Sequence, residues 1–68
     1  MNIFVNGEPR QVDQTSALLS VLGVPTGASA PRGVAVALDG AVVPRAQLSE
    51  TVLHEGARVE IVTAVQGG

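Results

Sequence analysis

Alternation of apolar and polar residues is the main pattern at the start of the chain. Residues 2–6 place two branched aliphatic side chains on one side and Phe4 on the other, which predicts a half-buried β-strand. Asn6 and Gly7 follow, and both tolerate the positive φ angles of a type I′ hairpin turn. The strand that returns from this turn is predicted to lie at a sheet edge, because Pro9 has no amide hydrogen to donate.

Three leucines between positions 18 and 22 are spaced as on one face of a helix. Thr15 or Ser16 is the expected N-cap, and Gly23 and Pro25 are expected to end the helix after about two turns. A helix of this length is not stable alone in water, so we expect it to pack on a sheet.

The second half of the chain predicts a second hairpin. Residues 34–39 alternate strongly, and Asp39-Gly40 has the same turn chemistry as the first hairpin. Residues 41–43 are the expected partner strand. The residues before this hairpin, 26–33, are rich in Gly, Ala and Pro and are interpreted as a loop within the same domain.

A final strand is predicted over residues 58–63, with Val59 and Ile61 facing inward. Leu48 and Val52, which precede it, are four residues apart, and this spacing favours one loose helical turn.

The order of elements is strand, strand, helix, strand, short strand, strand. This order predicts an α+β fold of the β-grasp type, a mixed sheet of four to five strands with one main helix packed on one face. The first and last strands are expected to pair in parallel at the middle of the sheet, because a crossover connection separates them. Residues 1–68 are interpreted as a single domain with a flexible C-terminal tail over 65–68.

The composition limits the possible functions. The chain has no cysteine, so it contains no disulfide, thiolate metal site or cysteine nucleophile, and this fits a cytoplasmic location. Its longest apolar run falls far short of the roughly 18 residues of a membrane span. Four scattered arginines, a net charge of −2 and the absence of Trp and Tyr argue against nucleic-acid binding.

The sequence ends in Gly67 and Gly68. Two glycines present a main-chain carboxylate on a thin tail without side chains, which can enter a slot that other residues would block. Fraying of two small residues at a terminus is the alternative interpretation. No catalytic base, metal-ligand cluster or phosphate-binding loop is evident elsewhere in the sequence.

These features together resemble the ubiquitin-like sulfur carriers, and most closely the sulfur carrier family of thiamine biosynthesis, the ThiS family. The matching segments are residues 1–7, Ala37-Leu38-Asp39-Gly40, Val42-Val43-Pro44-Arg45, residues 55–61 and Gly67-Gly68. No single segment is specific for the family, but the spacing of these segments within so short a chain is specific for it. The loop over residues 26–33 matches no motif of the family.

The resemblance implies a protein that serves as a co-substrate and is not itself an enzyme. An E1-like adenylyltransferase would use ATP to adenylate the carboxylate of Gly68, and sulfur from a cysteine desulfurase relay would convert it to a thiocarboxylate. Thiazole synthase would then take the sulfur, and Gly67 would let the partner's backbone approach the tail closely. The implied carrier binds no cofactor of its own and is a monomer when free.

Residues for partner docking are predicted on the face of the sheet that the helix does not cover. Phe4, the only aromatic residue, is expected there beside Val62 and Ala64, where an apolar patch would suit a partner protein. The alternatives are that a loop covers Phe4 or that it is a singly exposed apolar residue.

Further candidates lie outside this face. Val65 and Gln66 lead into the diglycine and are expected to contact the partner. Arg45 follows a proline where the family has a similar pair, and it is expected either to bind a partner carboxylate or to be solvated or paired internally. His54 is interpreted as a surface residue and Asp39 as a turn residue, neither with a catalytic role.

Three other functions stay open from the sequence. The small subunit of molybdopterin synthase shares the fold and the activated diglycine, but the short chain and the Val-Gln lead-in favour the thiamine carrier. A ubiquitin-like modifier would form isopeptide bonds, and the absence of lysine argues against chains built on itself. A plain interaction module would have an inert terminus.

Overall fold

The computed structural model describes residues 1–23 and 32–63. Five β-strands in these residues form one mixed sheet: β1 (Asn2–Val5), β2 (Glu8–Gln11), β3 (Val34–Leu38), β4 (Ala41–Val43) and β5 (Arg58–Thr63). Their order across the sheet is β2-β1-β5-β3-β4. The predicted mixed sheet is confirmed, and every predicted strand is found within one residue of its expected bounds. Most of the loop assigned to residues 26–33, and the tail assigned to 65–68, lie outside the described residues.

β5 is the central strand of the sheet. On one side it pairs in parallel with β1, where Val5 lies opposite Val59. On its other side it pairs antiparallel with β3, where Val36 lies opposite Ile61. The predicted parallel pairing of the first and last strands is therefore confirmed, and so is the edge position of β2. The strand that precedes the C-terminal residues is anchored in the middle of the fold.

Both predicted hairpin turns are present. The φ angles are 50° and 84° at Asn6 and Gly7, and 51° and 87° at Asp39 and Gly40. Positive φ at both central positions defines the type I′ turn, whose twist matches that of the strands it joins. Asn6 and Asp39 are the only residues other than glycine with positive φ in the described ranges. Both belong to the small class of side chains that tolerate this conformation.

The predicted main helix is wrong in type and in its cap. Leu18–Leu22 forms a 3₁₀ helix of 5 residues, and no α-helix occurs in the part of the chain that the structure describes. The N-cap position is Ala17, and no side chain caps the helix, so neither Thr15 nor Ser16 has the predicted role. None of the described helices is long and apolar enough to cross a membrane.

Tertiary hydrogen bonds fix the start of this segment, and a glycine fixes its end. The N–H of Leu18 donates to the carbonyl oxygen of Thr51 at 2.7 Å, and the N–H of Leu19 donates to that of Leu48 at 3.0 Å. These bonds satisfy amide groups that a cap would otherwise serve. Gly23 ends the helix with a φ of 75°, as predicted. The helix is therefore limited to the 5 residues between its hydrogen-bonded start and Gly23. Helices this short are commonly 3₁₀.

The hydrophobic core lies on one face of the sheet. Its buried residues are Ile3, Val5, Leu18, Leu19, Val36, Leu48, Leu53, Ala57 and Val59. A second 3₁₀ helix, Arg45–Gln47, precedes Leu48. The loose helical turn expected around Leu48 is present, because the N–H groups of Glu50 and Thr51 donate to the carbonyl oxygen of Gln47 at 3.1 and 3.0 Å. Val52 does not share the inward face of Leu48, since it is 63% exposed and forms an isolated antiparallel bridge with Ala17. Neighbouring side chains point in opposite directions along such an extended segment, so Leu53 takes the inward position.

Candidate functional site

The side of the sheet opposite the core forms a continuous surface, which we call the open face. Strand alternation and register assign its members, since they point away from the side on which Ile3, Val5, Val36 and Val59 are buried. The register places Phe4 opposite Arg58, Ala35 opposite Val62, and Ala37 opposite both Glu60 and Val42. The open face therefore consists of Phe4, Ala35, Ala37, Val42, Arg58, Glu60 and Val62.

Apolar side chains are unusually exposed on the open face. Of the four large apolar residues exposed in the described ranges, three lie here: Phe4 at 38%, Val62 at 62% and Val42 at 74%. The predicted outward position of Phe4 and Val62 is confirmed. Their expected position beside one another is wrong, because Phe4 lies opposite Arg58, four residues before Val62 on β5. Val42 was missed by the sequence reasoning, although its position opposite the outward-facing Ala37 would have indicated it. An exposed apolar group of this kind is typical of a surface that contacts another protein.

Phe4 borders an open depression at one end of this face. The depression has a volume of about 630 Å³ and is lined by Phe4, Asn6, Gly7, Arg58, Val59 and Glu60. It therefore combines an aromatic ring with one positive and one negative side chain. These groups offer a partner both apolar contact and charge complementarity, which determines orientation more than affinity.

The other predicted site residues are not brought together by the described structure. Arg45 begins the second 3₁₀ helix, after β4, and is exposed but does not belong to a strand of the open face. Ala64, Val65, Gln66, Gly67 and Gly68 lie outside the described residues. The described chain ends at Thr63, where β5 still pairs with Val34 of β3. No group of three or more potential metal ligands occurs among the described residues.

An ion pair connects the second hairpin turn to the segment before β5. The Nε2 of His54 lies 2.5 Å from Oδ2 of Asp39, and the Nδ1 of His54 lies 2.9 Å from the carbonyl oxygen of Glu55. The other oxygen of Asp39 accepts a hydrogen bond from the backbone N–H of Arg58 at 3.0 Å. His54 therefore faces two acceptors, which only the imidazolium form can satisfy together. The sequence had indicated only a surface residue.

The same contacts shift the pKa of both groups. The pKa of Asp39 is lowered, first by the hydrogen bond from the Arg58 amide and then by the hydrogen bond to His54. The pKa of His54 is raised, first by its hydrogen bond to Asp39 and then by the carbonyl of Glu55. Both side chains are exposed, so this pair supports the start of β5 without forming a buried charge.

The pair predicts that the folded state weakens with rising pH. A histidine with a raised pKa stabilises the fold fully below its unfolded value of about 6.5, and this contribution is lost as pH rises through the folded pKa. The contribution of Asp39 has the opposite sign and is lost only in acid, as pH falls through its lowered pKa. We expect the free energy of unfolding, measured by urea denaturation, to fall as the pH rises from about 6.5 through the raised pKa of His54.

The control for this prediction is His54→Gln. His54 is the only histidine in the chain, so the variant removes the imidazole and leaves every other ionisable side chain in place. We expect a flatter dependence of unfolding free energy on pH in the variant. Parallel curves for the two proteins would show that the His54–Asp39 pair contributes nothing.

The comparisons with known proteins agree on one family. The model of the ThiS family matches residues 3–68. A crystal structure of a thiamine biosynthesis protein (ThiS) from Geobacter metallireducens is similar over 100% of both chains, with 33% sequence identity and a TM-score of 0.73. Among curated proteins, none matches the sequence significantly. The full coverage extends the match from β1 to the terminal glycines, so this chain belongs to the ThiS family.

Proposed function

We propose that this protein is a sulfur carrier of thiamine biosynthesis and that the sulfur is carried on Gly68. The observation that carries the proposal is the family match, which runs through the diglycine to residue 68. The similar protein from Geobacter metallireducens is described as a thiamine biosynthesis protein, and this supports the choice of pathway.

The proposed chemistry begins with a poor acyl donor. The carboxylate of Gly68 attacks the α-phosphate of ATP in the active site of an E1-like adenylyltransferase, and pyrophosphate leaves. The terminal sulfur of a persulfide from a cysteine desulfurase relay then attacks the acyl carbon, and AMP leaves with the carboxyl oxygen. A thiol reductant cleaves the resulting acyl disulfide and releases the relay cysteine. The product is a thiocarboxylate, from which thiazole synthase takes the sulfur. The partners supply the catalytic groups, so the carrier acts as a co-substrate.

In this proposal the folded body has two tasks. The central position of β5 gives the tail a fixed point of departure, since β5 has hydrogen-bonded neighbours on both sides. The open face offers the docking surface, because three of its apolar side chains are already exposed in the isolated protein. Docking on this face would bury Phe4, Val42 and Val62, and burial of apolar area stabilises association.

Val62→Glu tests the docking role of the open face. We expect the kcat/KM of adenylation to fall by about tenfold or more, because docking would bury an unpaired carboxylate. Val52→Glu is the matched control: Val52 is 63% exposed against 62% for Val62, but it lies outside the sheet. We expect Val52→Glu to react like the wild type. Equal losses in both variants would show that the added charge, and not the open face, is responsible.

The function itself is tested by intact-mass measurement. The protein is incubated with ATP, the adenylating partner and a sulfur donor, and the proposal predicts a mass change equal to replacing one oxygen by sulfur, located at Gly68. The loaded protein is then given to thiazole synthase or to molybdopterin synthase, and we expect only thiazole synthase to consume the sulfur. An unchanged mass with a competent partner would indicate an inert interaction module.

A further inference from the structure

The side chain of Asn6 continues the parallel β1–β5 ladder beyond the end of β1. The main-chain N–H of Asn6 donates to the carbonyl oxygen of Val59 at 2.8 Å. Its side-chain Oδ1 then accepts a hydrogen bond from the N–H of Ile61 at 2.8 Å, and its Nδ2 donates to the carbonyl oxygen of Ile61 at 3.4 Å. Asn6 therefore turns the main chain away from β5, while its side-chain amide still hydrogen-bonds to β5.

This amide serves a part of β5 that β1 does not reach. β1 pairs only with Arg58 and Val59, whereas β3 pairs with β5 as far as Thr63. The carbonyls of Ala57 and Val59 face β1, so by alternation the main-chain groups of Ile61 face the same side. Beyond Val59 that side has no strand neighbour in the described chain. A planar side-chain amide has one acceptor and one donor group, as a peptide unit does, and can take the place of the missing strand.

The two hairpin turns hold β5 at both ends in a related way. Asn6 and Asp39 occupy the same position, the first of two residues with positive φ in a type I′ turn. Asp39 binds the N–H of Arg58 at the start of β5, and Asn6 binds both main-chain groups of Ile61 near its end. A carboxylate is sufficient at Arg58, because the carbonyl of Arg58 already accepts a hydrogen bond from the N–H of Asp39. At Ile61 both a donor and an acceptor are used.

We propose that Asn6 is a positioning residue for the carrier reaction: its amide holds β5 at Ile61 and so keeps the end of the strand, at Thr63, in a fixed place in the sheet. This inference rests on the proposed function. Asn6 also lines the depression beside Phe4, so it lies next to the proposed docking surface.

The test compares Asn6→Gly with Asp39→Gly. Both variants keep a residue that adopts positive φ in the same turn type. Each variant removes the side-chain hydrogen bonds that one hairpin turn makes to β5. Hydrogen exchange of the isolated proteins is measured first. We expect Asn6→Gly to lose protection at the Ile61 amide and Asp39→Gly to lose it at Arg58 instead. Unchanged protection of Ile61 in Asn6→Gly would overturn the inference.

Steady-state adenylation then separates positioning from stability. We expect Asn6→Gly to lower kcat by about tenfold with little change in KM, because the docking face is intact but the carboxylate is less often in place. We expect Asp39→Gly, compared under conditions where both variants are fully folded, to keep the wild-type kcat. An equal fall in kcat for both variants would make Asn6 merely structural and overturn its positioning role.

Asn6→Asp provides a conservative rescue. Aspartate tolerates the same turn and still offers an oxygen to the N–H of Ile61, but it cannot donate to the carbonyl oxygen of Ile61. We therefore expect a partial rescue, with protection of Ile61 and a kcat between those of Asn6→Gly and the wild type. A kcat as low as that of Asn6→Gly, with Ile61 protected, would contradict the proposed mechanism. If the wild-type protein itself is not adenylated, the proposed function fails. The difference in hydrogen exchange at Ile61 still tests whether the side chain of Asn6 holds β5.

Discussion

Deletion of Gly68 is expected to reduce thiocarboxylate formation by about a hundredfold or more while leaving the fold unchanged. The deletion moves the terminal carboxylate back by about 3.5 Å, the length of one extended residue. Displacements of about 1 Å at a reacting centre can already cost a hundredfold in rate, so a carboxylate this far from the nucleotide should not react. The measurement is the intact mass after incubation with ATP, the adenylating partner and a sulfur donor.

The stability of the deletion variant is the control for this experiment. The buried core of the described chain runs from Ile3 to Val59, and a glycine has no side chain with which to extend it. We expect the same urea midpoint and the same exchange protection at Ile61 as in the wild type. If the variant unfolds, the tail has a structural role. If it is loaded at the wild-type rate, Gly68 is not the carrier residue.

The sheet could be predicted from local rules. Asn6-Gly7 and Asp39-Gly40 fix two hairpins because few residue pairs accept positive φ at both positions, and Pro9 confines its strand to an edge. The central position of β5 followed from a topological rule, since a parallel partner for β1 requires a crossover. Each of these inferences depends on residues close together in sequence or on connection length alone.

The helix could not be predicted in the same way. Three leucines at helical spacing favour an α-helix, but the helix begins only at Leu18, where the amides of Leu18 and Leu19 bind carbonyls of residues 51 and 48. These partners are roughly 30 positions away, and nothing in the local pattern of the segment indicates them. Tertiary contacts therefore fix where the segment starts, and a helix of only 5 residues is commonly 3₁₀.

The candidate site was predictable only in part. Alternation placed Phe4 and Val62 on the open face, and the structure confirms both. The amide of Asn6 was not predicted, because a residue assigned to a turn gave no sign that its side chain would reach Ile61, 55 positions away. The same holds for His54 and Asp39, whose contact depends on where two turns meet. The role of Gly67 and Gly68 still rests on the family match and on the experiments proposed above.

Leu18→Ala is expected to remove much of the protein's stability. Leu18 is 0% exposed and lies in the short helix that covers the core face. Truncation of a buried leucine costs about 2–5 kcal/mol, from lost burial and from the cavity that remains. A domain of this size has a total stability near the lower end of roughly 5–15 kcal/mol. We therefore expect a large fall in the urea midpoint and a melting temperature lower by about 8 °C or more.

Val52→Ala is the matched control, because Val52 belongs to the segment that bridges to Ala17 but is 63% exposed. We expect a change within about 0.5 kcal/mol, as for other surface substitutions. If Leu18→Ala loses no more unfolding free energy than Val52→Ala, the helix is not a main support of the core.

Leu18 lies on the core side of the sheet and the docking surface lies on the other side. The folded fraction of Leu18→Ala should therefore be adenylated with the wild-type kcat. A lower kcat per folded molecule would show instead that the core side of the sheet also controls how β5 presents the tail.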